Sequence, residues 1–440
     1  MYIDKILRKI EKIIPRKVYK TFQPLYHFFL AMIGTVVYKL PGRNIHIIAI
    51  TGTKGKSTTT EYVNAVLETA GYKTAILSTI RFKIDKDNRA NKYKMTMPGR
   101  FFVSRFVSQA ESAHCDFAII EMTSEGAKFY RHRGIPIDTL IFTNLTPEHI
   151  DSHGSFENYL VAKLSLARAV EKSKKGHRRI VANLDDEYGH QFLIYNVNEK
   201  VGYKYSDWDK FEKEYDKKIH MHLPGDFNKM NALAAITLGK SLGIADGIII
   251  KGIESVTKVR GRCEEIDVEN KIKVIVDYAH TADSLEKLYK AYNANGEMLI
   301  AVLGGTGGGR DKNKRKIMGN LAAKYCEYVI VTDEDPYDED PRQIMNDVVE
   351  GVMQASPPAL SSREGTTQNT EIIESRREAI NKAINSALQI QKSKKSIQIN
   401  IMLTGKGTDP YIMRANGERE AWDDATVVRE EIEKIKNNIL

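Results

Sequence analysis

The sequence predicts an α/β protein with parallel sheets, divided into two domains that follow a short helical extension. From residue 45 onward, short apolar runs with the length of buried strands alternate with helix-length amphipathic stretches. This alternation is typical of parallel strands joined by crossover helices. The runs are 45–50, 117–120, 139–143, 274–277, 298–303, 328–332 and 397–403.

Domain boundaries are predicted from the turns that follow these strands. The strands before residue 150 and those after residue 270 lead into separate sets of glycine-rich or acidic turns, so a boundary is expected near residues 259–262. The predicted organisation is a helical N-terminal extension (1–44), a central domain (45–260) and a C-terminal domain (261–440). A chain of 440 residues is long enough for this number of domains.

Composition and charge narrow the classes of function. The 66 Lys and Arg residues exceed the 57 Asp and Glu residues, and a net charge of +9 favours an anionic ligand such as a nucleotide, a nucleic acid or an acidic membrane. No aromatic–basic nucleic-acid module is visible, so no nucleic-acid partner is predicted. Cys115, Cys263 and Cys326 lack metal-type spacing, which favours buried thiols in a reducing, cytoplasmic compartment.

The N-terminal extension contains two apolar segments. Residues 3–14 repeat Ile and Leu at helical spacing, with Lys and Arg on the other side and Pro15 at the end, which predicts a basic amphipathic helix. The second segment, 28–37, is shorter than the roughly 20 residues that span a bilayer. Peripheral membrane contact is one interpretation. Packing of both helices on the chain's own core or on a partner is the other.

A phosphate-binding loop is predicted between the first strand and the next helix. Its glycines allow successive N–H groups to point at an anion, and the helix N-terminus adds partial positive charge. Lys56 can reach terminal phosphates and Ser57 can hold Mg²⁺. Ile50 stands where the full P-loop motif has glycine, so this is a shorter relative of the motif in a P-loop ATPase-like domain. The loop residues are Gly52, Thr53, Lys54, Gly55, Lys56, Ser57 and Thr58.

Polar residues that follow strands are candidates for the same site. Glu121 ends the strand 117–120, and ligands gather at the carboxyl ends of parallel strands, so Glu121 is a candidate magnesium ligand or a helix cap. The strand 139–143 leads into a loop in which His149 or His153 could bind a cation or a phosphate.

Lys163 lies on the apolar face of a predicted helix, at helical spacing from Phe156, Leu160 and Ala167. Burial disfavours the charged form and lowers the pKa of a lysine. A neutral amine can add CO₂ to become a carbamate, which is an acid-like metal ligand. The alternative is an ammonium group that reaches the edge of the core.

Three residues of the second half are candidates for contacts with a nucleotide. Asn228 lies near a helix start, where its amide could contact a purine edge or cap the helix. Arg262 lies at the predicted boundary and could bind a phosphate. Asp277 ends the strand 274–276, and an acid in that position commonly accepts hydrogen bonds from ribose hydroxyls. A second glycine-rich turn occupies residues 304–311.

In order and spacing, ten segments resemble the Mur ligases, ATP-dependent amide ligases that extend the peptide of cell-wall precursors. The resemblance is greatest to the branch that makes UDP-N-acetylmuramoyl-tripeptide. Single motifs are weak, but their joint occurrence is specific. The segments are 52–58, 95–100, 121–126, 143–163, 225–235, 259–264, 277–287, 304–315, 334–341 and 404–411.

The resemblance implies ATP and Mg²⁺ as cofactors, with Lys56 and Ser57 at the phosphates and the metal. It implies Glu121 and His149 as further magnesium ligands, and it favours the carbamylated form of Lys163 as another. Lys56, Lys163 and His149 would then be catalytic.

The resemblance also assigns the nucleotide and acceptor contacts. It implies that Asn228 contacts adenine, that Arg262 contacts the γ-phosphate as a fourth catalytic residue, and that Asp277 contacts ribose, in a Rossmann-like C-terminal domain. Thr96 falls where the family contacts its sugar–peptide substrate.

Three departures from the family pattern concern substrates. Only 44 residues precede the first strand, where the family usually has a domain that binds the uridine nucleotide. The segment 334–337 reads Glu-Asp-Pro-Tyr in place of Asp-Asn-Pro-Arg, and Asp409 replaces the Glu of Gly-His-Glu. Residues 95–100 replace the usual Thr-Thr-Pro. We therefore expect Asp335, Tyr337 and Asp409 to contact an incoming amino acid of open identity, and the two acids slightly favour a cationic side chain such as lysine.

The predicted function is ATP-dependent ligation of an amino acid to a carboxylate of a UDP-muramoyl-peptide-type precursor, through an acyl phosphate, with release of ADP and phosphate. The predicted partners are therefore small molecules. One alternative is a ligase of the same fold that acts on a folate, poly-glutamate or lipid-linked acceptor. The other is a nucleotide-binding protein that does not ligate.

Overall fold

The structure is a computed structural model that describes residues 16–99, 101–148, 150–269, 271–309, 311–355, 369–394 and 396–439. It divides into two compact units. Unit 1 comprises the described parts of Met1–Ile219 and Met230–Ser255, and unit 2 comprises those of His220–Lys229 and Val256–Leu440. The chain passes from unit 1 to unit 2 for the last time between Ser255 and Val256. The predicted boundary near residues 259–262 lies a few residues further along.

Unit 1 is built on an eight-stranded sheet with the order β4-β3-β2-β5-β1-β6-β7-β8. Its strands are β1 His46–Thr51, β2 Thr74–Leu77, β3 Arg81–Ile84, β4 Asp87–Ala90, β5 Phe117–Glu121, β6 Thr139–Phe142, β7 Arg179–Asn183 and β8 Glu199–Tyr203. Its helices are α1 Arg16–Val37, α2 Lys56–Thr69, α3 Phe102–Ser112, α4 Ser124–Lys128, α5 Ile150–His153, α6 Phe156–Glu171, α7 Gly189–Phe192, α8 Asp207–Glu214 and α10 Asp246–Glu254. Helix α9, Asp226–Ser241, contains residues of both units.

Six strands of this sheet are parallel, and β3 and β4 form an antiparallel edge. Strands β2, β5, β6 and β7 are buried along their whole length, because helices cover both faces of a parallel sheet. Strand β1 lies between β5 and β6, in register from His46 with Phe117 and from Ile48 with Thr139. The turns that follow these three strands therefore lie at one edge of the sheet.

Unit 2 is built on a six-stranded sheet with the order β13-β12-β11-β14-β10-β9. Among the described strands of this sheet, only β9 runs antiparallel to its neighbour. The strands are β9 Glu264–Glu269, β10 Ile272–Asp277, β11 Met298–Leu303, β12 Tyr328–Val331, β13 Asn369–Ile372 and β14 Ile399–Thr404, with a separate hairpin of β15 Tyr411–Met413 and β16 Arg419–Ala421. The helices are α11 Ala282–Tyr292, α12 Asn313–Tyr325, α13 Pro341–Gln354, α14 Arg376–Ser393 and α15 Asp424–Ile439.

The apolar side chains of unit 2 form a core on each face of its sheet. Along β10, Val274 and Val276 join the core that α14 and α15 cover, whereas Ile275 joins the core that α11, α12 and α13 cover. This alternation follows from the two-residue period of a strand and closes both faces of the sheet.

The predicted α/β fold class is confirmed, and each of the seven predicted strands is present with ends that agree within two residues. Residues 3–14, the predicted basic helix, lie outside the described residues. The second apolar segment forms the C-terminal part of α1. Among the described helices, none combines the length and the apolarity that crossing a bilayer requires.

Candidate active site

The phosphate loop joins β1 to the N-terminus of α2. Gly52 and Gly55 have positive φ angles of 153° and 82°, a region that L side chains rarely adopt. A Cβ at Gly52 would collide with the Thr143 hydroxyl, and one at Gly55 would collide with the Asn231 side-chain oxygen. The backbone therefore requires glycine at both positions. The loop has the curvature and the helix N-terminus of an anion site, so it fits a nucleotide phosphate.

Two lysines meet on one carbonyl of this loop. Lys56 Nζ donates to the carbonyl oxygens of Gly52 and Thr53, at 2.9 Å each. Lys163 Nζ donates to the same Gly52 oxygen at 2.7 Å from the buried face of α6. Lys163 is 1% exposed, so the alternative in which its ammonium reaches solvent is excluded by the structure. Burial, and then the nearby charge of Lys56, lower the pKa of Lys163 well below its ordinary value.

Helix α6 also supports the loop through Tyr159. The Tyr159 hydroxyl lies 2.8 Å from the Thr53 hydroxyl, and Lys163 Nζ lies 5.0 Å from the centre of the Tyr159 ring. Burial raises the pKa of Tyr159, so the phenol stays protonated at neutral pH. On the other side of the loop, Thr143 Oγ1 donates to the Lys54 carbonyl at 2.7 Å, and Lys54 pairs with Glu148 at 3.0 Å. The loop is therefore held both by helix α6 and by the segment that follows β6.

Glu121 is fully buried at the end of β5. Its carboxylate accepts hydrogen bonds from the Thr79 backbone N–H at 3.1 Å and from the Thr79 hydroxyl at 2.9 Å. The Thr79 hydroxyl also lies 2.7 Å from the Thr96 hydroxyl. The structure thus joins the predicted metal ligand Glu121 to the predicted substrate residue Thr96 through Thr79, which sequence reasoning missed.

Arg131 is a second residue that sequence reasoning missed. Its Nη1 donates to the Met97 carbonyl at 2.6 Å, one residue from Thr96, and its Nε is buried with no hydrogen-bond partner in the described part of the chain. Burial lowers the pKa of the guanidinium from its ordinary value, and an arginine stays charged in a protein. A half-buried arginine with a buried, unused Nε donor is suited to a carboxylate or phosphate. The available signal was its place five residues after the segment 121–126.

The predicted metal ligands are only partly described. His149 lies outside the described residues, and the Nε2 atom of His153 lies 3.1 Å from the Ser124 hydroxyl. The described residues contain no group of three His, Cys, Asp or Glu side chains arranged to hold a metal. Ser57 and Glu121 offer a hydroxyl and a carboxylate, and Mg²⁺ is commonly held by one or two protein oxygens together with phosphates and water. This donor set fits Mg²⁺.

Unit 2 brings the three predicted nucleotide residues together around Cys263. Asn228 lies in the first turn of α9, and its amide nitrogen donates to the Pro224 carbonyl at 2.7 Å and lies 3.9 Å from Cys263 Sγ. Asp277 accepts the Cys263 backbone N–H at 2.8 Å. The guanidinium of Arg262 lies over the Tyr278 ring, 4.7 Å from its centre. The prediction that Cys263 is a buried thiol is confirmed, since it is 3% exposed.

Two of the three residues predicted to contact the incoming amino acid, Asp335 and Asp409, face Lys406 in unit 2. Lys406 is fully buried, and its Nζ lies 2.9 Å from Asp335, 3.6 Å from Asp409 and 2.6 Å from the Tyr411 carbonyl. Asp335 also accepts the Met413 backbone N–H at 2.8 Å. The two acids therefore already face an internal cation, which weakens the argument that they select a cationic amino acid.

Tyr337 stands where the diaminopimelate-adding pattern has arginine. Its backbone has a φ of 54°, and its N–H donates to the Met413 carbonyl at 3.0 Å. The phenol offers a hydroxyl but no cation, so this position cannot make the charge-assisted contact that an arginine makes with a carboxylate.

The fold and the loop define a nucleotide-dependent α/β enzyme. A family model described as the Mur ligase middle domain matches residues 50–239, and one described as the Mur ligase glutamate ligase domain matches residues 261–393. The chain belongs to the Mur ligase family. Members of this family form amide bonds at the expense of ATP, so the predicted class of enzyme is confirmed and the alternative of a protein that does not ligate is set aside.

Two similar proteins agree with the predicted branch. The chain is 31% identical over 399 residues to a UDP-N-acetylmuramoyl-L-alanyl-D-glutamate–2,6-diaminopimelate ligase from Syntrophomonas wolfei, covering 87% of this chain and 77% of the relative. It is 32% identical over 368 residues to a UDP-N-acetylmuramyl-tripeptide synthetase from a Roseiflexus species, covering 77% of this chain and 71% of the relative.

The fold extends to more distant ligases. A folylpolyglutamate synthase from Mycobacterium tuberculosis, solved with ADP and AMPPCP, superposes with a TM-score of 0.65 over 86% of this chain and 92% of that one. The two sequences are 14% identical, so this likeness supports the fold alone.

Proposed function

We propose that the protein adds an amino acid to a carboxylate of a UDP-muramoyl-peptide-type cell-wall precursor, with conversion of ATP to ADP and phosphate. The observation that carries the proposal is the pair of Lys56 and Lys163 on the Gly52 carbonyl, because it joins an anion-binding loop to a buried amine of lowered pKa. The names of the similar ligases support the class of acceptor.

The phosphate loop binds the triphosphate of ATP in this proposal. The N–H groups of the loop and of the first turn of α2 would face the phosphates. Lys56 would leave its contacts with the Gly52 and Thr53 carbonyls and neutralise the charge of the terminal phosphate. Ser57 and Glu121 would hold Mg²⁺, together with His149, and the bound ion would supply charge neutralisation at the transferred phosphoryl group.

Lys163 is proposed to act as a carbamate. A neutral amine is required to add CO₂, and the buried environment of Lys163 favours that form at neutral pH. Addition joins the amine nitrogen to the carbon of CO₂ and releases one proton, which converts a buried base into a carboxylate-like ligand. That group would add a third oxygen donor to Ser57 and Glu121.

The acceptor carboxylate is proposed to bind beside Thr96. The Thr79 and Thr96 hydroxyls offer hydrogen bonds, and the unused Nε of Arg131 offers a charge-assisted one. In the reaction, the acceptor carboxylate takes the γ-phosphoryl group of ATP and ADP leaves. The amino group of the incoming amino acid then attacks the acyl carbon, and phosphate leaves as the amide bond forms.

The contacts of unit 2 are proposed as follows. Asn228 binds adenine, Asp277 binds ribose and Arg262 binds the γ-phosphate. The linked arrangement of Asn228 and Asp277 through Cys263 supports a common ligand for these side chains. Asp335, Tyr337 and Asp409 are proposed to line the site of the incoming amino acid, and the pairing of both acids with Lys406 favours recognition by hydrogen bonds over recognition of a cationic side chain.

Phosphate release tests the proposal. Purified protein is assayed with Mg-ATP, bicarbonate and UDP-muramoyl-dipeptide against lysine, diaminopimelate, ornithine and glutamate, and the product mass is measured. We expect release that depends on both substrates and a product heavier by one amino acid residue. The Thr96→Val variant should raise the KM for the acceptor while the KM for ATP stays unchanged.

The competing hypothesis is a ligase of the same fold that acts on another class of acceptor, such as a folate, poly-glutamate or lipid-linked carboxylate. The muramoyl proposal is refuted if the protein binds ATP but releases no phosphate with the UDP-muramoyl-dipeptide and any of the amino acids. Phosphate release with a folate, poly-glutamate or lipid-linked acceptor instead would support the other acceptor class.

A further inference from the structure

Helix α1 exposes six large apolar or aromatic side chains. Tyr26, Phe29, Ile33, Val36 and Val37 are between 50% and 70% exposed, and Met32 is 40% exposed. At 100° per residue these six side chains occupy one continuous face without a charged residue. We call these six residues the outer face of α1.

The opposite side of α1 contacts the rest of unit 1 with small and polar residues and with the ring of Phe28, which packs against Tyr130. Thr35 is buried and donates to the Ala31 carbonyl at 2.9 Å, and a Cβ at Gly134 would collide with its hydroxyl. A Cβ at Gly34 would contact Phe101. Close approach at Gly34 and Thr35 and the ring contact of Phe28 hold the helix in place, and the six residues of the outer face stay exposed. Such an exposed apolar face typically marks an interaction surface.

The positive charge of the protein is concentrated in the same region of the chain. Residues 1–44 contain nine Lys or Arg and two Asp or Glu, a net charge of +7 of the chain's +9. The remaining 396 residues contain 57 basic and 55 acidic side chains and are almost neutral. Beside the helix, the exposed Arg133 lies over the ring of Tyr130, which contacts Phe28 of α1.

We propose that α1 docks on an anionic phospholipid membrane surface, with its outer face in the boundary between headgroups and acyl chains. An apolar helix face next to a cluster of Lys and Arg is the combination that binds such a surface, because buried apolar area and attraction to anionic lipids add. Tyr26 is of the type enriched at the membrane interface. A second copy fits this face less well, because pairing α1 with α1 would bring two segments of charge +7 together.

Docking would place the acceptor side of unit 1 at the membrane. His27, Leu30 and Ala31 of α1 line a pocket together with Pro98, Gly99, Phe101 and Arg131. These residues adjoin Thr96, so the proposed acceptor site lies beside the docked helix. The membrane contact is independent of the proposed reaction, and its test requires no substrate.

The test measures co-sedimentation of the full chain with vesicles of phosphatidylcholine, with and without phosphatidylglycerol. We expect binding to the anionic vesicles that weakens as salt increases. The double variant Phe29→Glu/Val36→Glu places two charges on the outer face and should weaken binding by roughly tenfold or more. The matched control is Ile194→Glu/Met353→Glu, which changes two side chains of 74% and 70% exposure elsewhere and should bind as the wild type does.

Thermal unfolding and molar mass in solution accompany the binding assay. All three proteins should unfold at the same temperature, because the substituted side chains are exposed. Equal binding by the wild type and the Phe29→Glu/Val36→Glu variant, or no binding by the wild type, would overturn the proposal. A dimer that this variant dissociates, without vesicle binding, would assign the face to a second copy. Vesicle binding that occurs only after removal of residues 1–15 would mean that the chain's own N-terminus covers the outer face of α1.

Discussion

Replacing Lys163 by Met should stabilise the protein and abolish its activity. The side chain is fully buried, and within the described part of the chain its amine donates one hydrogen bond, to the Gly52 carbonyl. Met retains most of the volume, and the Gly52 carbonyl keeps its bond from Lys56, so no buried acceptor is left unpaired. Lys163 is therefore a position where function opposes stability.

The magnitude follows from two opposing effects. Loss of the hydrogen bond costs about 1 kcal/mol of unfolding free energy. Replacing a buried ionisable group by an apolar one of similar volume is neutral or gains up to about 4 kcal/mol. The expected net change is about 0–3 kcal/mol in favour of Lys163→Met, or a rise in Tm of roughly 0–10 °C for a unit of this size. Lys163→Ala leaves a cavity and should lie about 2–5 kcal/mol below Lys163→Met.

The stability difference should depend on pH. Burial lowers the pKa of Lys163 in the folded state, so between that lowered pKa and the ordinary lysine pKa the unfolded chain binds a proton that the folded chain does not. The unfolding free energy of the wild type should therefore rise relative to that of Lys163→Met as pH increases. The difference between the two proteins should disappear near pH 10, the ordinary lysine pKa. Thermal unfolding followed by circular dichroism in CO₂-depleted buffer from neutral to alkaline pH measures this.

The two variants also separate the carbamate from a merely structural role. Lys163→Ala leaves space for a small carboxylate, so high bicarbonate or short carboxylic acids should restore part of its phosphate release, whereas Lys163→Met fills that space and should not respond. If Lys163→Met is less stable than the wild type, the amine is charged and paired, and the reasoning is refuted. Full activity of either variant would remove the carbamate from the mechanism.

Three further predictions follow from the described contacts. Gly55→Ala places a Cβ against the Asn231 side chain at a φ of 82°, so binding of ATP measured by calorimetry should fall by roughly a hundredfold, and unchanged binding would contradict the anion loop. Thr96→Val removes the hydroxyl 2.7 Å from Thr79 and should raise the acceptor KM roughly tenfold, and an equal rise in the KM for ATP would contradict a role specific to the acceptor. Arg376→Met leaves the buried carboxylate of Asp424 without its two hydrogen bonds from the guanidinium. The unfolding free energy of unit 2, measured by urea denaturation, should fall by about 3–5 kcal/mol. A fall below about 1 kcal/mol would contradict this prediction and mean that water replaces the guanidinium.

Seven of the described strands and the phosphate loop could be predicted from sequence because their signals are local. An apolar run of six residues, glycines at fixed spacing and a helical period are each properties of adjacent residues. The placement of Lys163 on a buried helix face followed from the same period. The short strands β3 and β4 had no such signal, because β4 is exposed along its length and offers no apolar alternation.

The sequence by itself determined the fold class, the loop and the strand-end acids of this ligase. Tertiary structure alone decided which distant side chains meet: Lys163 with a carbonyl 111 residues away, Thr79 between Glu121 and Thr96, and Lys406 between two acids. It also decided the direction of α1. Helical periodicity shows that a helix has an apolar face, but only packing against its neighbours decides whether that face is buried, and here close backbone contacts at Gly34 and Thr35 turn it outward.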